Sequence, residues 1–285
     1  MSKNGIILLL IFLFVFDGFL WWQIVFGAPF KDRSDIYFLN VGQGDSELLA
    51  LSGNIKILID GGPNKNVIYE LEKILPPTDR YIDLVILTHP QTDHFSGLID
   101  VFKKYRVGAF IFNGRLATSA AFKELTKIIG QREIPIVILS EGDKIARLKD
   151  KIIVIAPDKN NLGSSELNDT TLVLKLESQG ISVLFTGDIG KDIEKSLLGK
   201  YGNELNSDIL KVAHHGSKYS SSPEFLKVAA PKLAIIEVGK NSYGHPTPEV
   251  LSRLANIGSR VFRTDLNGTL KLILKEGKIY AFAQK

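Results

Sequence analysis

The sequence predicts an α/β domain carried behind a single membrane-spanning helix, and three observations lead there. Ile6 to Phe16 is an uninterrupted apolar run, resumed from Phe19 to Phe26 with only Gln23 polar. Beyond Pro29, short β-branched runs alternate with stretches of helical period. Hydrophobic residues make up 45% and charged residues 23% of the 285 positions, a globular composition that excludes a disordered chain and a polytopic membrane protein.

As a helix, Gly5 to Phe26 would span about 33 Å at ~1.5 Å per residue, enough for a hydrocarbon core of ~30 Å. Both tryptophans, Trp21 and Trp22, fall near its far end, where the interface favours indole rings. Asp17 is a defect in the run, costing about 2.5–3.5 kcal/mol on insertion scales unless protonated or paired. A segment that is apolar all round and outside the remaining pattern is not a buried core helix. Phe26-Gly27-Ala28 puts a large residue at the minus-three place of a signal cleavage site, which disfavours cutting. Residues 1–30 are therefore expected to be a membrane anchor or uncleaved signal segment. Lys3 and the amino terminus precede it, while Lys31, Asp32, Arg33 and Asp35 cancel after it. The positive-inside rule then puts the N-terminus in the cytoplasm and the body outside, on a single-pass cell-membrane protein.

Within 34–285, strands are expected at 36–40, 46–51, 55–60 and 83–88, with a helix over 64–75 ended by Pro76-Pro77. A second helix starts near His94 and a third covers 119–130. Strands follow at 108–112, 135–139 and 152–155, then at 170–176 and 181–186. A helix at 190–199 precedes strands at 208–213 and 233–238. A helix from Pro248 to Asn256 and three short strands close the chain. This order fits two sheets packed face to face with helices outside, and the pattern by itself also admits one doubly wound sheet.

Cysteine is absent, so any metal must be held by His, Asp, Glu or an amide oxygen. The net charge of +4, from 35 basic and 31 acidic residues, permits an anionic substrate without demanding one. The five histidines are the informative residues. The apolar strand Leu84 to Leu87 ends in Thr88-His89-Pro90-Gln91-Thr92-Asp93-His94, which delivers imidazole and carboxylate to one end of a sheet. In the bland reading Thr92 or Asp93 merely caps the next helix. Leu210 to Ala213 runs into His214-His215-Gly216-Ser217, Val183 to Phe185 into Thr186-Gly187-Asp188, and His245 lies in the loop Tyr243-Gly244-His245-Pro246. Each alone could be a polar turn. Together they place every histidine at a strand end or in a loop, as a metal centre with a shared carboxylate requires.

The order Asp60-Gly61-Gly62, His89-x-Gln91-x-Asp93-His94, Thr186-Gly187-Asp188 and His214-His215-Gly216-Ser217 resembles the metallo-β-lactamase superfamily. Leu39-Asn40-Val41-Gly42-Gln43-Gly44-Asp45, Asn168-Asp169-Thr170-Thr171-Leu172-Val173 and Asn241-Ser242-Tyr243-Gly244-His245-Pro246 look like the extracellular hydrolase domain of ComEC-type competence proteins. The resemblance covers about 36–284. It implies an αβ/βα four-layer sandwich over 34–285, with the metal site at one edge of the two sheets. It looks like a free-standing, tethered version of that domain, without the multi-helix channel.

By position, the resemblance implies that His89 ligates a first metal, Asp93 and His94 a second, and that Asp188 bridges them. His214 or His215 completes the second site. Asp60 and Asp45 would stand behind the ligands and orient them. Gln91 departs from the usual His or Asp and is a neutral, poorer donor, with Asn168 or Asp169 a weak further contact. One or two divalent ions, Zn or Mn, are therefore both admitted; the one-ion set is Asp93, His94, Asp188 and His215. Asp93 and His245 are the candidate catalytic groups, as partner of the nucleophile and as leaving-group donor or phosphate contact. Ser217, Lys218, Asn241 and Tyr243 are candidates for holding a phosphate. The implied activity is that of a phosphodiesterase, a nuclease acting on DNA with a metal-activated water. Hydrolysis of another ester or amide (a lactone, a β-lactam, a phosphorylcholine ester) is the alternative, and Gln91 keeps open a non-catalytic binding module on a decayed site.

Overall fold

Two mixed sheets lie face to face in the computed structural model, which describes residues 2–26 and 33–284. The expectations about cleavage after Ala28 and about Lys31 and Asp32 fall outside the described residues. The first helix, α1 (Lys3–Phe26), is apolar on every side, and its most hydrophobic window, Lys3–Trp22, has no buried share. It is long and apolar enough to be a candidate membrane span.

The body opens with the antiparallel strands β1 (Ser34–Phe38), β2 (Glu47–Leu51) and β3 (Ile55–Ile59). Helix α2 (Asn66–Ile74) leads to β4 (Tyr81–Ile86), α3 (Thr92–Lys104) to β5 (Arg106–Phe112), and α4 (Ala120–Gln131) to β6 (Ile136–Ile138). Strands β3 to β6 are parallel, as helical crossovers dictate. The second sheet starts with β7 (Lys144–Arg147), β8 (Asp150–Ala156), β9 (Val173–Ser178) and β10 (Ile181–Phe185). After α5 (Lys191–Tyr201) come β11 (Ile209–Lys211), α6 (Pro223–Ala229), β12 (Leu233–Ile236), α7 (Pro248–Asn256) and β13 (Arg260–Arg263). A single turn, α8 (Thr264–Asn267), returns the chain to the first sheet as β14 (Thr269–Lys275) and β15 (Lys278–Gln284). The sheets read β15-β14-β1-β2-β3-β4-β5-β6 and β13-β12-β11-β10-β9-β8-β7.

The pleat explains the layers. Alternate residues of β1, Ile36 and Phe38, face the inter-sheet core with Leu174, Val183, Phe185 and Leu272, while Tyr37 faces the helices. Phe95, Leu98, Val101 and Phe102 of α3 recur at helical spacing and cover the outer face of the first sheet. Ile193 and Leu197 of α5, Phe225 and Leu226 of α6, and Val250 and Leu254 of α7 do the same for the second. Truncating a ring such as Phe185 to alanine in this core would cost about 3–5 kcal/mol. The result is the αβ/βα sandwich, rather than the single doubly wound sheet that the pattern also admitted.

Three short elements escape the sequence reading: β7, α6 and the single turn α8. β7 is a mostly exposed edge strand of four residues, with only Ile145 and Ala146 apolar between two cations, so it is too short to carry an apolar pattern. α6 is seven residues long, announced only by Ser222, which accepts from the Phe225 amide, and by Pro223 at its first position. The strand expected from 170 starts at Val173, because 167–170 forms a 3-10 turn. The stretch 217–222 is packed: Ser217, Ser220 and Ser221 are buried, and the Glu194 carboxylate accepts from the Ser221 and Ser222 amides.

Candidate metal centre

Strand direction gathers the site. The parallel pair β3 and β4, and the parallel set β10, β11 and β12, all end on one side of the sandwich. Asp60, His89, Asp188, His214, His215 and Glu237 each follow one of these strands, and Asp45 precedes β2 beside the end of β3.

On the first sheet, Asp60 is fully buried in the left-handed region (φ 53). Its Oδ1 accepts from the Thr88 amide at 2.8 Å, and its Oδ2 accepts from Thr88 Oγ1 at 2.7 Å and from His94 Nδ1 at 2.8 Å. Helix α3 can bring His94 this close because Gly97 lies directly on the Gly61 and Asn64 carbonyls, where any Cβ would collide. Thr88 gives its hydroxyl hydrogen to Asp60, so at 3.0 Å it accepts from His89 Nδ1. Both rings therefore turn a lone pair on Nε2 toward the centre. The capping reading of Thr92 and Asp93 fails: Gln91 is the N-cap, with no side-chain cap bond, and Asp93 sits in the first turn.

On the second sheet, His214 and His215 are consecutive left-handed residues (φ 50 and 53). That backbone, costly for two residues with side chains, swings the rings apart onto the site. The His214 amide donates to the Gly187 carbonyl at 3.0 Å, and His215 Nδ1 donates to the Glu237 carbonyl at 2.8 Å. His215 Nε2 is thus also free.

His94 Nε2 and His215 Nε2 lie 3.3 and 3.5 Å from Asp188 Oδ2, and His215 Nε2 lies 3.4 Å from Asp93 Oδ2. One donor atom each from Asp93, His94, Asp188 and His215 falls within 4.8 Å of the others. The His89 ring is 4.1 Å from that of His94, centroid to centroid, and His214 Nε2 is 3.9 Å from Asp188 Oδ2. Nε2 of His89, His94 and His215, and both Asp188 oxygens, are buried without a hydrogen bond. Unpartnered lone pairs on imidazole and carboxylate, converging out of water, suit a divalent cation, and the residues fit one.

The fields are strong. Burial disfavours the charged form of Asp188, but His215 and His94, which the surrounding carboxylates hold protonated where no metal cation takes the place of the protons, outweigh it together with Lys211 and keep its carboxyl well below the usual range. Burial likewise works against Asp93, and His215 and His94 bring it down to about 2. His89 is pushed down to about 3 by burial and by His94. Its neutral ring is the form that ligates a metal.

A second buried layer was not singled out from sequence. Lys211 is fully buried, pairs with Asp45, lies 3.7 Å from Asp188 Oδ1 and donates to the Gly187 carbonyl at 3.0 Å. Glu47 and Glu237 sit beside Asp45, with Glu237 Oε1 accepting from the Ser46 amide at 3.0 Å. Burial, with Asp45 adjacent, pushes the Glu47 carboxyl up to about 8. The signal was present: Lys211 and Glu237 each break an apolar run, Glu47 stands directly at the head of one, and a charge there needs a reason.

The centre opens into a polar cleft of about 870 Å³ whose walls include Gln91, Asp93, Arg115, Asn168, Tyr243 and His245. Gln91 Nε2 donates to Asn168 Oδ1 at 2.6 Å, so these two side chains are spent partly on each other. Asp169 instead accepts from Ser164 Oγ at 2.8 Å. Tyr243 is exposed and stacks on His245, centroids 5.7 Å apart. Ser217, Lys218 and Asn241 do not line the cleft. Ser217 is buried, Lys218 is exposed over the Tyr219 ring, and Asn241 ties its own loop, its amide donating to the Gly239 and His245 carbonyls. Arg115, whose guanidinium donates to the Leu162 and Ser164 carbonyls, was not legible in the sequence.

Comparison with known proteins agrees with this fold. The chain is 31% identical over 260 residues to ComE operon protein 3 of Bacillus subtilis (strain 168), which covers 85% of this chain and 33% of that protein. It is 30% identical over 256 residues to Competence protein ComA of Neisseria gonorrhoeae, covering 88% and 34%. The chain thus spans about a third of the length of these relatives. The crystal structure of the metallo-beta-lactamase fold protein YhfI from Bacillus subtilis superposes with a TM-score of 0.57 at 12% identity, covering 88% of this chain and all of that one. Residues 39–239 match the description of the metallo-beta-lactamase superfamily. With that match over most of the body, and the fold that goes with it, the chain belongs to the metallo-β-lactamase superfamily.

Proposed function

We propose that this protein is a membrane-tethered, metal-dependent phosphodiesterase that cleaves DNA, with its body on the outer side of the cell membrane. The observation that carries the hydrolase reading is the set of unpartnered buried donors, Nε2 of His89, His94 and His215 around the Asp188 carboxylate, at the floor of an open polar cleft. Asp93, His94, Asp188 and His215 would hold one ion, Zn or Mn. His89 and His214 flank the same carboxylate and would hold a second, with Gln91 as a weak further donor. When bound, a divalent ion there supplies a Lewis acid that lowers the pKa of water from ~15.7 toward ~7.

The chain's own groups do the rest. Asp93, ionised and partly open to the cleft, accepts a hydrogen bond from the attacking water and orients it. Asp60 and Thr88 fix the rings of His94 and His89, while Asp45 steadies Lys211 behind Asp188. His245 has a buried Nδ1 without a partner and stands in the cleft 5.7 Å from the His214 ring, which places it for the phosphate or its leaving oxygen. Tyr243 offers an exposed ring on which a base can stack. The DNA reading takes its support from the resemblance to competence proteins and from a relative named for competence, and the orientation from the charge flanking α1.

The test uses the full chain in detergent, loaded with Mn²⁺ or Zn²⁺, incubated with single- and double-stranded DNA beside an Asp188→Ala control. Metal-dependent cleavage lost in the variant is expected. Turnover of a lactone, a β-lactam or a phosphorylcholine ester without DNA cleavage would replace the substrate class. Metal-free protein that binds DNA and turns over nothing would replace catalysis with binding. Protease protection of the body in sealed cells would reverse the orientation.

A further inference from the structure

We infer that the end of the sandwich opposite the metal centre rests on the surface of an anionic phospholipid bilayer, so that the cleft is held facing away from the membrane. This builds on the anchored reading of α1. The chain between Phe26 and Ser34 can span at most about 28 Å at ~3.5 Å per residue, so the first residue of β1 stays near the bilayer. β1 runs from Ser34 at one end of the sandwich to the loop carrying Asp45 at the other.

The end where Ser34 sits is one continuous surface. The buried Asp150 carboxylate accepts from Ser34 Oγ at 3.4 Å and from the Ser52 amide at 3.0 Å. Gln179 Nε2 donates to Ser52 Oγ at 3.1 Å, and the Gly277 amide donates to the Gln179 carbonyl at 2.8 Å. The turns before β3, between β9 and β10, and between β14 and β15 are thereby locked around the start of β1. The turn between β7 and β8 joins them: Leu148 lies over Gly53.

That turn reads Arg147-Leu148-Lys149, all exposed, with Leu148 at 77%. Exposed Lys278 begins β15 at the same end. Among the described residues no carboxylate pairs with Arg147, Lys149 or Lys278. A mainly apolar cleft of about 380 Å³, lined by Leu51, Ile55, Ile145 and Ile152 with Arg147 and Lys151, opens beside them; its two carboxylates, Asp83 and Asp150, are turned to the Lys56 and Ser52 amides. An exposed leucine between two unpaired cations, next to apolar surface and within reach of the anchor, complements phospholipid: cations for the phosphates, leucine for the acyl boundary.

The chain has no cysteine, so single labels report cleanly. Full-length Leu148→Cys and, at the mouth of the metal cleft, Leu116→Cys would carry an environment-sensitive fluorophore. Each is reconstituted in phosphatidylcholine vesicles with and without phosphatidylglycerol, containing lipids spin-labelled near the headgroup. The label at 148 is expected to be quenched, more strongly with phosphatidylglycerol and less in high salt, and the label at 116 to stay unquenched. In Arg147→Glu/Lys149→Glu/Lys278→Glu the dependence on phosphatidylglycerol should vanish. Flotation separates the failures. Protein that does not float with the vesicles overturns the anchor. Protein that floats with position 148 quenched no more than position 116 overturns this orientation alone.

Discussion

Asp60 Oδ2 accepts a hydrogen bond from His94 Nδ1 at 2.8 Å, and that contact decides which nitrogen of the ring faces the centre. An asparagine has the same shape but can present an N–H to Nδ1, so the ring loses its fixed tautomer. In Asp60→Asn, metal affinity measured by chelator competition should fall about 10–100-fold with the fold intact. An unchanged affinity would show that His94 is oriented by packing alone.

Lys211 is the buried cation among Asp45 and Asp188. Lys211→Met removes the positive partner and leaves the carboxylates in place. A loss of about 3–5 kcal/mol in urea unfolding is expected. A variant as stable as the wild type would mean that a bound cation, not Lys211, balances these charges.

Glu47 gives a pH signature. It faces Asp45, Glu237, Lys211 and Asp60, and burial with Asp45 raises its carboxyl to about 8, above the ~4.3 of an unfolded chain. Between those values the folded protein holds a proton that the unfolded chain has released. Stability from this group is therefore present below the lower value and is lost as pH rises toward the upper one. Glu47→Gln, uncharged throughout, should flatten the decline in urea stability from about pH 5 to 8. An identical slope in the variant would assign the decline to other groups.

Removing metal with a chelator should lower the melting temperature, and Mn²⁺ or Zn²⁺ should restore it. At a metal concentration 100-fold above Kd the linkage is about 2.7 kcal/mol. For a body of this size that corresponds to roughly 5–10 °C. Asp188→Ala should melt at one temperature with and without added metal.

Glu194 holds the turn that precedes α6 by accepting from two backbone amides. Glu194→Ala strands both donors, at about 1–3 kcal/mol each. Calorimetry should show that loss, and a shift below about 1 kcal/mol would mean that water replaces the carboxylate.

The sequence declares the centre because chemistry there is written in rare residues at strand ends. His89, Asp93, His94, Asp188 and His215 stand where apolar runs stop, and the structure brings all five together. The choice between His214 and His215 was not legible, since it depends on two consecutive left-handed residues and on the Glu237 carbonyl, a partner distant in sequence. That Ser217, Lys218 and Asn241 lie off the cleft is illegible for a related reason: composition does not show that a serine is buried, a lysine lies over a neighbouring ring, or an asparagine closes its own loop. In the fold, long periodic elements such as α3 and β4 are read directly. β7 and α6 are too short to carry a period and are set by what they pack against.

The division of the centre between the two sheets also sets its timing. Asp60, His89, Asp93 and His94 belong to the first sheet, while Asp188, His215 and Glu237 belong to the second; the Ser46 amide meets Glu237 across 191 residues. Contacts of such separation form late, after the entropy of closing long loops has been met. A chain still emerging presents the first donors long before the second, with no enclosed cage for a wrong ion to occupy. If the centre takes up an ion as proposed, its occupancy would certify completed folding, since both halves must dock first.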